Sequence, residues 1–572
     1  MKTSRLAPFA LVSLSGTVAF AQPIITALDT SEASPSGRVI VRGSGFGGRD
    51  TGGIVRVNGV PAHFARWSDS AISVYIPEQT GPGVATIEIG TGAGSVATTV
   101  GVSARPSAQG KVLWKFKVDG SGIRHRGRVA PDGTVYVSDS LGFLYSVSPT
   151  GGLNWIYCAD CVNGTGGEGP VALGGDGTVY VGGNPLGPET NVHAVNTDGT
   201  PRWKYTDIWT DCVAGPSIGP DGNVYVVTET AGAGLTCLDP SSGTRLWATH
   251  PPGQVFDERG QYGAGIAFGP GTVGGEPDQV YVAFDMRPQQ VPIPQGANSA
   301  LFAFGMDGQH RWSAAVGGQS IAGGQVQGEV AVGLDGTVYE CNLLPPNAWA
   351  LYAHDPVNGS TKWNLYLPPG NVISEPTVAD DGTVYVVRNT VHVHAVRPDG
   401  TVQWTYTDPS GSLYEAAVES PDGRVVISSG SIGDTLTFSG HVRAVSGAGQ
   451  NLWSVYLPRE GGGAVPIVPR TRAFYSGDSR RAYVGTSGSQ TAGEEYAYLV
   501  ALDTAPPRPT ACDGDFNGDG DFGTDQDIEA FFECLAGRCC SACLTSDFNG
   551  DGDFGTDQDI EAFFRVLAGG GC

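Results

Sequence analysis

"PDGTVYVSDSLGFLYSVSPTGGLNW", residues 131–155, decides how this chain is read. It opens on an Asp-Gly turn, runs through two short apolar strands, turns again at Gly-Gly and closes on a tryptophan. The phrase recurs along the chain. Trp114, Trp155, Trp203, Trp247, Trp312, Trp363, Trp404 and Trp453 stand 41 to 65 residues apart. Val-Tyr-Val type strands occur at residues 131–137, 176–181, 220–226, 279–282, 335–339, 381–386, 421–427 and 482–484. Period-2 strands, Asp-Gly turns and a repeat of this length describe the blades of a β-propeller. A blade buries only part of its apolar surface, so neighbours must stack around a ring, and one tryptophan per repeat supplies a wedge between them. Eight strand sets and eight tryptophans predict eight blades. Trp114 has no strand set before it and residues 482–503 have no tryptophan after them. "KVLWKFKV" (residues 111–118) is therefore expected to pair with the terminal blade and close the ring.

The phrase "LTCLDPSSGTRLW" (residues 235–247) resembles the PQQ-like repeat of quinoprotein alcohol dehydrogenases and of related non-catalytic propellers. The resemblance implies either a quinone enzyme or an interaction scaffold. The enzymes of that family stack the quinone on a vicinal disulfide inside the propeller. The only adjacent cysteines here, Cys539 and Cys540, lie in the tail, so no PQQ is expected. Other chemistry is thin. Cys158-x-x-Cys161 has redox or metal spacing, with a loop disulfide the plainer reading. His392 and His394 share one strand face, but His193 occupies the same repeat slot, which favours a structural role. Arg126, Glu329 and Glu375 open innermost strands and are candidates for a channel mouth. The long repeat between Trp247 and Trp312 carries two excursions, and Asp257, Glu258, Arg259 and Tyr262 make it the first place to seek a carbohydrate or protein ligand.

Residues 22–104 read as a β-sandwich of about seven strands. Val39, Val41, Ile54, Val57, Ile72, Val74, Ile76, Ile87 and Ile89 are the candidate core, and Asn58-Gly59 is a hairpin turn. With Gly43-Ser44-Gly45-Phe46-Gly47, Trp67-Ser68 and Ile76-Pro77, the segment resembles the IPT/TIG immunoglobulin-like domain, a spacer or binding module.

After a proline-rich linker (residues 506–511), "DFNGDGDFGTDQDIEAFF" appears at residues 515–532 and again, unchanged, at 547–564. Asp515, Asn517, Asp519 and Asp521 alternate as oxygen ligands do in an EF-hand calcium loop, and Asp547, Asn549, Asp551 and Asp553 repeat the set. Clustered carboxylates repel by roughly 1 kcal/mol or more per close pair, and a divalent cation removes that repulsion. The twelfth loop position is Gln526 or Gln558. Either the loop is one residue longer and Asp527 and Asp559 close the shell, which we favour, or affinity is lower. Ile528, Phe531, Phe532 and Leu535, and Ile560, Phe563, Phe564 and Leu567, mark one face of a short helix in each copy. Two such units resemble a cysteine-containing dockerin domain, the calcium-dependent plug of cohesin–dockerin pairs. The resemblance implies two Ca2+ ions, packing of the two copies against each other, a docking surface built from Phe531, Phe532, Phe563 and Phe564, and a cohesin-like or cell-surface partner.

The formal net charge is −24 over 572 residues, and residues 512–572 carry fourteen acids against Arg538 and Arg565. An acidic chain with no basic stripe is a poor nucleic-acid binder. "MKTSRLAPFALVSLSGTVAFAQ" reads as a signal peptide cleaved between Ala21 and Gln22, and no segment has the length of a membrane span. Eleven cysteines agree with an oxidising compartment. The expectation is a mainly β, exported binding or scaffold protein: sandwich, eight-bladed propeller and a small α-helical calcium-loop tail. A secreted propeller enzyme positioned by the tail, acting on an alcohol or polysaccharide, is the alternative.

Overall fold

A computed structural model describes the chain outside residues 1–21, 106–110, 121, 124, 162–169, 184–188, 209–211, 229–233, 250–265, 273–274, 276–277, 286–296, 318–329, 345–347, 367–375, 389–391, 409–417, 420–424, 430–439, 458–467, 470, 472, 477–479, 488–496, 505–515, 518–522, 537–547, 549–554 and 569–572. The chain divides into two compact units, Met1–Gly477 with Tyr483–Leu502, and Asp478–Ala482 with Asp503–Cys572.

The first unit begins with a sandwich. Ile24–Leu28, Arg38–Ser44, Ala71–Tyr75 and Phe64–Trp67 form one sheet. Glu32–Ala33, Gly94–Val102, Gly83–Thr91, Ile54–Val57 and Val60–Pro61 form the other. Alternation sends Val39, Val41, Ile72 and Val74 inward to meet Val55, Val57, Ile87 and Ile89. One strand corrects the expected pattern: Ile54 is exposed and Val55 takes the core position, because Val57 fixes the parity of the strand. Asn58 and Gly59 both have positive φ (50° and 81°), which lets Val57 pair directly with Val60.

Seven antiparallel four-stranded sheets follow in chain order, from Arg128–Val129 to Asn451–Tyr456. An eighth joins Val112–Val118 to Ala497–Asp503 and Arg481–Ser487, so the ends of the propeller segment meet in one sheet. The Asp-Gly phrase explains the turns. Asp132, Asp176, Asp221, Asp335 and Asp381 each accept the amide N–H two residues on, at 2.8–3.1 Å. The glycines between have φ of 81–85°. The following strand is apolar on both faces, because sheets stack on each side of it; all of Val135–Ser138 is buried.

Tryptophan fixes how neighbouring sheets meet. In seven sheets its ring lies 5.6–5.9 Å from a tyrosine of the same sheet, as in Tyr136–Trp155 and Tyr483–Trp114. Its indole N–H donates at 2.7–3.1 Å to a carbonyl in the next sheet's last turn. The ring lies over that turn's glycine, at Gly151, Gly199, Gly243, Gly308, Gly359, Gly400 and Gly449. Any Cβ there would come within 2.8 Å of the indole. A bulge precedes each of the seven hairpin tryptophans from Trp155 to Trp453. The same bulge recurs between Val112 and Trp114, although that strand arrives from the other end of the segment. Trp453 is the exception. Val426 stands where its tyrosine would be, and its N–H has no acceptor among the described residues. The sheet it faces has no hairpin there, since its last two strands come from opposite chain ends. The Lys111 ammonium lies 5.9 Å from the Trp453 ring instead.

The sandwich shares a core with the propeller. Ala65 and Tyr75 belong to the same apolar cluster as Phe116, Phe143 and Tyr145. Beside them lies Asp119, fully buried at the end of Val112–Val118. Its carboxylate meets Arg38 at 3.1 Å and Arg66 at 3.2 Å, and accepts the Ser73 hydroxyl at 2.6 Å. The Tyr75 hydroxyl donates to the Lys117 carbonyl at 3.1 Å. Deeper in, Asp139 accepts the Tyr145 hydroxyl at 2.7 Å and the amides of Gly120, Leu141 and Phe143 at 2.8–3.0 Å. Burial nevertheless pushes the Asp139 carboxyl up to about 6.

Trp363→Phe removes an inter-sheet hydrogen bond that Trp453→Phe does not, so it should destabilise the chain by about 1 kcal/mol more in urea unfolding followed by circular dichroism; equal losses would show that the N–H contact contributes nothing. Asp139 titrates near 6 when folded against 3.8 in its ordinary state. The native protein thus holds that proton more tightly between the two values. The resulting stabilisation is full below the lower value and lost as pH rises through the higher. Asp139→Asn should flatten this component of a melting-temperature profile between pH 4 and 7, whereas an offset from wild type that is constant with pH would contradict the assignment.

Candidate functional site

The second unit contains two helices, α1 (Asp525–Leu535) and α2 (Asp557–Leu567). Each starts at a threonine cap in extended conformation, Thr524 or Thr556, with the carboxylate three residues on turned back over the cap. Asp527 accepts the Thr524 N–H at 2.8 Å and its hydroxyl at 2.9 Å, and Asp559 does the same with Thr556. Asp527 also accepts the Asn517 N–H at 3.1 Å, which ties the third loop position to the thirteenth. Both carboxylates are fully buried. Among the described residues these donors to Asp527 are neutral. A buried carboxylate normally calls for a cation. Its oxygens, and those of the paired asparagine and aspartate positions, are the hard donors that Ca2+ takes.

Asn517, Asp527 and Asp559 are thus placed. Asp515, Asp519, Asp521, Asp547, Asn549, Asp551 and Asp553 lie outside the described residues. No group of three or more acids, histidines or cysteines suited to a metal occurs among the described residues.

The helices pack through phenylalanine. Phe531 and Phe563 stack with centroids 4.0 Å apart and planes at 18°. Phe516 and Phe548 close over them edge-on, and all four are buried. This corrects the expected docking surface. Phe531 and Phe563 are core, while Phe532 and Phe564 are 46% and 45% exposed with centroids 6.2 Å apart. A helix turns 100° per residue, so adjacent phenylalanines cannot both face the partner helix. Phe516 and Phe548 were not singled out from sequence; their shared second position in the two loops was the available signal. Cys534, also in this core, is disulfide-bonded.

In the propeller, Asp257, Glu258, Arg259, Tyr262, Glu329 and Glu375 lie outside the described residues. Arg126 is exposed just before the innermost strand Arg128–Val129. Cys158 and Cys161 form a disulfide, and Cys237 and Cys341 are buried free thiols. Burial pushes the Cys237 thiol up to about 12, which leaves it protonated and inert. His193 makes contacts of 2.9 Å to the Tyr157 hydroxyl and 3.0 Å to Asp160, which Lys204 also engages at 2.9 Å. Arg443, in the same repeat slot, meets Asp408 at 2.6 Å. His394 contacts Thr405 at 2.9 Å across its hairpin, and His392 contacts Thr407 at 3.1 Å. The slot therefore joins strands and sheets, as its repetition suggested.

The family profile described as outer membrane protein assembly factor BamB matches residues 98–339 and 297–467, and the IPT/TIG domain profile matches residues 23–107. Similar solved structures include BamB from Moraxella catarrhalis (15% identity, TM-score 0.47, 68% of this chain and 99% of that one). The Dos1 propeller is also similar (13%, TM-score 0.49, 68% and 94%). So is the C-terminal WD40 domain of Sif2 (11%, TM-score 0.47, 69% and 99%). No curated protein sequence matches the chain.

Phe531→Ala should open the tail core at a cost of about 3–5 kcal/mol, whereas Phe532→Ala should cost no more than about 1 kcal/mol. Hydrogen exchange of α1 and α2 in the full-length chain separates the two; equal protection in both variants would refute the assignment of core and surface.

Proposed function

The chain belongs to the family described as outer membrane protein assembly factor BamB, and from that membership we propose that it is an exported, non-catalytic scaffold whose propeller binds other proteins. The observation that carries this is the family match across the propeller body. In that body the histidines singled out from sequence, His193, His392 and His394, serve contacts between strands and sheets. The ring has eight blades, seven made of consecutive strands and one closed by Val112–Val118. Export is supported by the leader-like residues 1–21 and by the disulfide at Cys158–Cys161.

The tail is a dockerin-like module that binds two Ca2+ ions and docks to a cohesin-like or other cell-surface partner. Asp527 and Asp559, held at the helix starts, close shells that begin at Asp515 and Asp547. The burial of both carboxylates and the link from Asp527 to Asn517 support a thirteen-residue loop. Phe532 and Phe564 are the docking residues.

Calorimetry on the full-length, oxidised chain should show two Ca2+ bound, and Asp527→Asn with Asp559→Asn should weaken both sites at least tenfold. Affinity capture from cell-envelope extract should give a partner set, part of which EGTA releases. No heat on Ca2+ addition would remove the metal assignment, and a capture profile indifferent to EGTA would remove calcium-dependent docking.

A further inference from the structure

The disulfide between Cys158 and Cys161 has chemistry that the proposed function leaves unused. Cys158 ends Leu153–Cys158, the last strand of its sheet, and pairs with Phe143 at the end of the hairpin. It is half-exposed, whereas Cys161 is 9% exposed and sits in the apolar cluster with Phe143. Access decides which sulfur of a disulfide is attacked, so Cys158 is the one open to an external thiol. The Cys161 N–H donates to the Cys158 sulfur at 3.2 Å. A thiolate left at Cys158 keeps that donor, and a hydrogen bond to a charged group is the stronger kind. The bridge spans a sequence separation of 3. A disulfide stabilises the fold less as its loop shortens, so folding resists the opening of this one less than that of a long loop.

The residues between the two cysteines reach the neighbouring sheet. The Ala159 N–H donates to the Gly142 carbonyl at 2.8 Å, and Asp160 takes a left-handed conformation with φ of 59°. The Asp160 carboxylate meets the His193 ring at 3.0 Å on Glu189–Val195 and the Lys204 ammonium at 2.9 Å on Pro201–Ile208. The Tyr157 hydroxyl contacts the other nitrogen of His193 at 2.9 Å. Residues on both sides of Cys158 therefore hold one histidine of the next sheet. The comparable pair of Asp408 and Arg443, at 2.6 Å, forms where residues 402–408 contain no cysteine. A cross-sheet ion pair at this slot thus does not need a disulfide, and the cysteine pair adds a condition to it.

We propose that Cys158–Cys161 is a thiol–disulfide exchange site that oxidises a dithiol of a partner protein, and that its redox state sets the tie between Asp160 and the sheet of His193 and Lys204. A partner thiolate attacks the Cys158 sulfur. The Cys158–Cys161 bond breaks as the mixed disulfide forms, and Cys161 leaves as a thiolate that takes up a proton. The partner's second thiolate then attacks its own sulfur in the mixed disulfide. The partner leaves as a disulfide and Cys158 as a thiolate beside the Cys161 N–H. Two electrons have passed from the partner dithiol to the cysteine pair. With the bridge open the turn is no longer fixed at both ends, and Asp160 loosens from His193 and Lys204. This goes beyond the scaffold reading and does not rest on it.

The test treats the full-length, oxidised chain with dithiothreitol as the probe dithiol and maps free thiols by alkylation and peptide mass spectrometry. Cys158 and Cys161 should be labelled at about one-tenth or less of the concentration that labels Cys534, a buried disulfide cysteine of the tail. Circular dichroism should not change over that range. Hydrogen exchange of Glu189–Val195 and Pro201–Ile208 should rise about tenfold on reduction, and that of Val384–Arg388 should not. Without oxygen, a peptide with two neighbouring cysteines should be oxidised by the chain, one peptide per bridge opened. Cys161→Ser should take a mixed disulfide from oxidised glutathione at Cys158 about tenfold faster than Cys158→Ser takes one at Cys161. If either variant fails to fold, wild type quenched in acid after treatment with glutathione should carry it on Cys158. Labelling only where the chain unfolds or Cys534 opens, a peptide left reduced, or glutathione found on Cys161 instead overturns the proposal. So does reduction that leaves the exchange of Glu189–Val195 and Pro201–Ile208 unchanged, the result expected of a disulfide that only braces its own loop.

Discussion

The seating of an indole ring on a glycine of the neighbouring sheet is the contact on which the propeller depends. At that glycine φ is positive and a side chain would strike the ring, so backbone freedom and close approach demand the same residue. The tyrosine behind the ring and the carbonyl ahead of its N–H fix its tilt and depth. Each of the seven tryptophans so seated thus ties two strands of its own sheet to the last turn of the next. The closing sheet shows that this geometry does not need a continuous hairpin. Trp114 reproduces the bulge, the tyrosine contact and the onward hydrogen bond from the opposite end of the segment. Trp453 shows what is lost when the receiving turn is missing.

That closing strand also explains why the sandwich is more than an appendage. Val112–Val118 ends at Asp119, where two sandwich arginines and a serine converge on one buried carboxylate. Burying a charge is costly unless it is paired and hydrogen-bonded, and here it is both. Specificity is gained because few other arrangements of the two domains would satisfy Asp119, Arg38 and Tyr75 together. The closing sheet therefore completes the ring with one face and carries the sandwich beside it.

In the tail, duplication serves packing. One loop–helix unit has two phenylalanines to bury and too little structure to bury them; two units supply the stacked pair and its two edge-on partners. The helix start that holds Asp527 as a cap also turns it toward the loop, where it accepts the Asn517 N–H. Helix stability and the proposed ion shells therefore draw on the same carboxylates.

By itself the sequence determined what is local and periodic. The turn phrase, the alternation of the strands and the spacing of the tryptophans specify the sheets, because each rests on contacts within a few residues or on a pattern that repeats. It also marked the strand at residues 111–118 as unpartnered in its own neighbourhood. The rest needed the tertiary structure. Whether Phe531 or Phe532 faces inward depends on where the second helix lies. The exchange of Ile54 for Val55 depends on how its strand enters the sheet. The Arg38–Asp119 contact joins residues 81 apart with no local signature at either end. Short-range preferences are written in neighbouring residues, but burial is decided by whichever distant surface arrives.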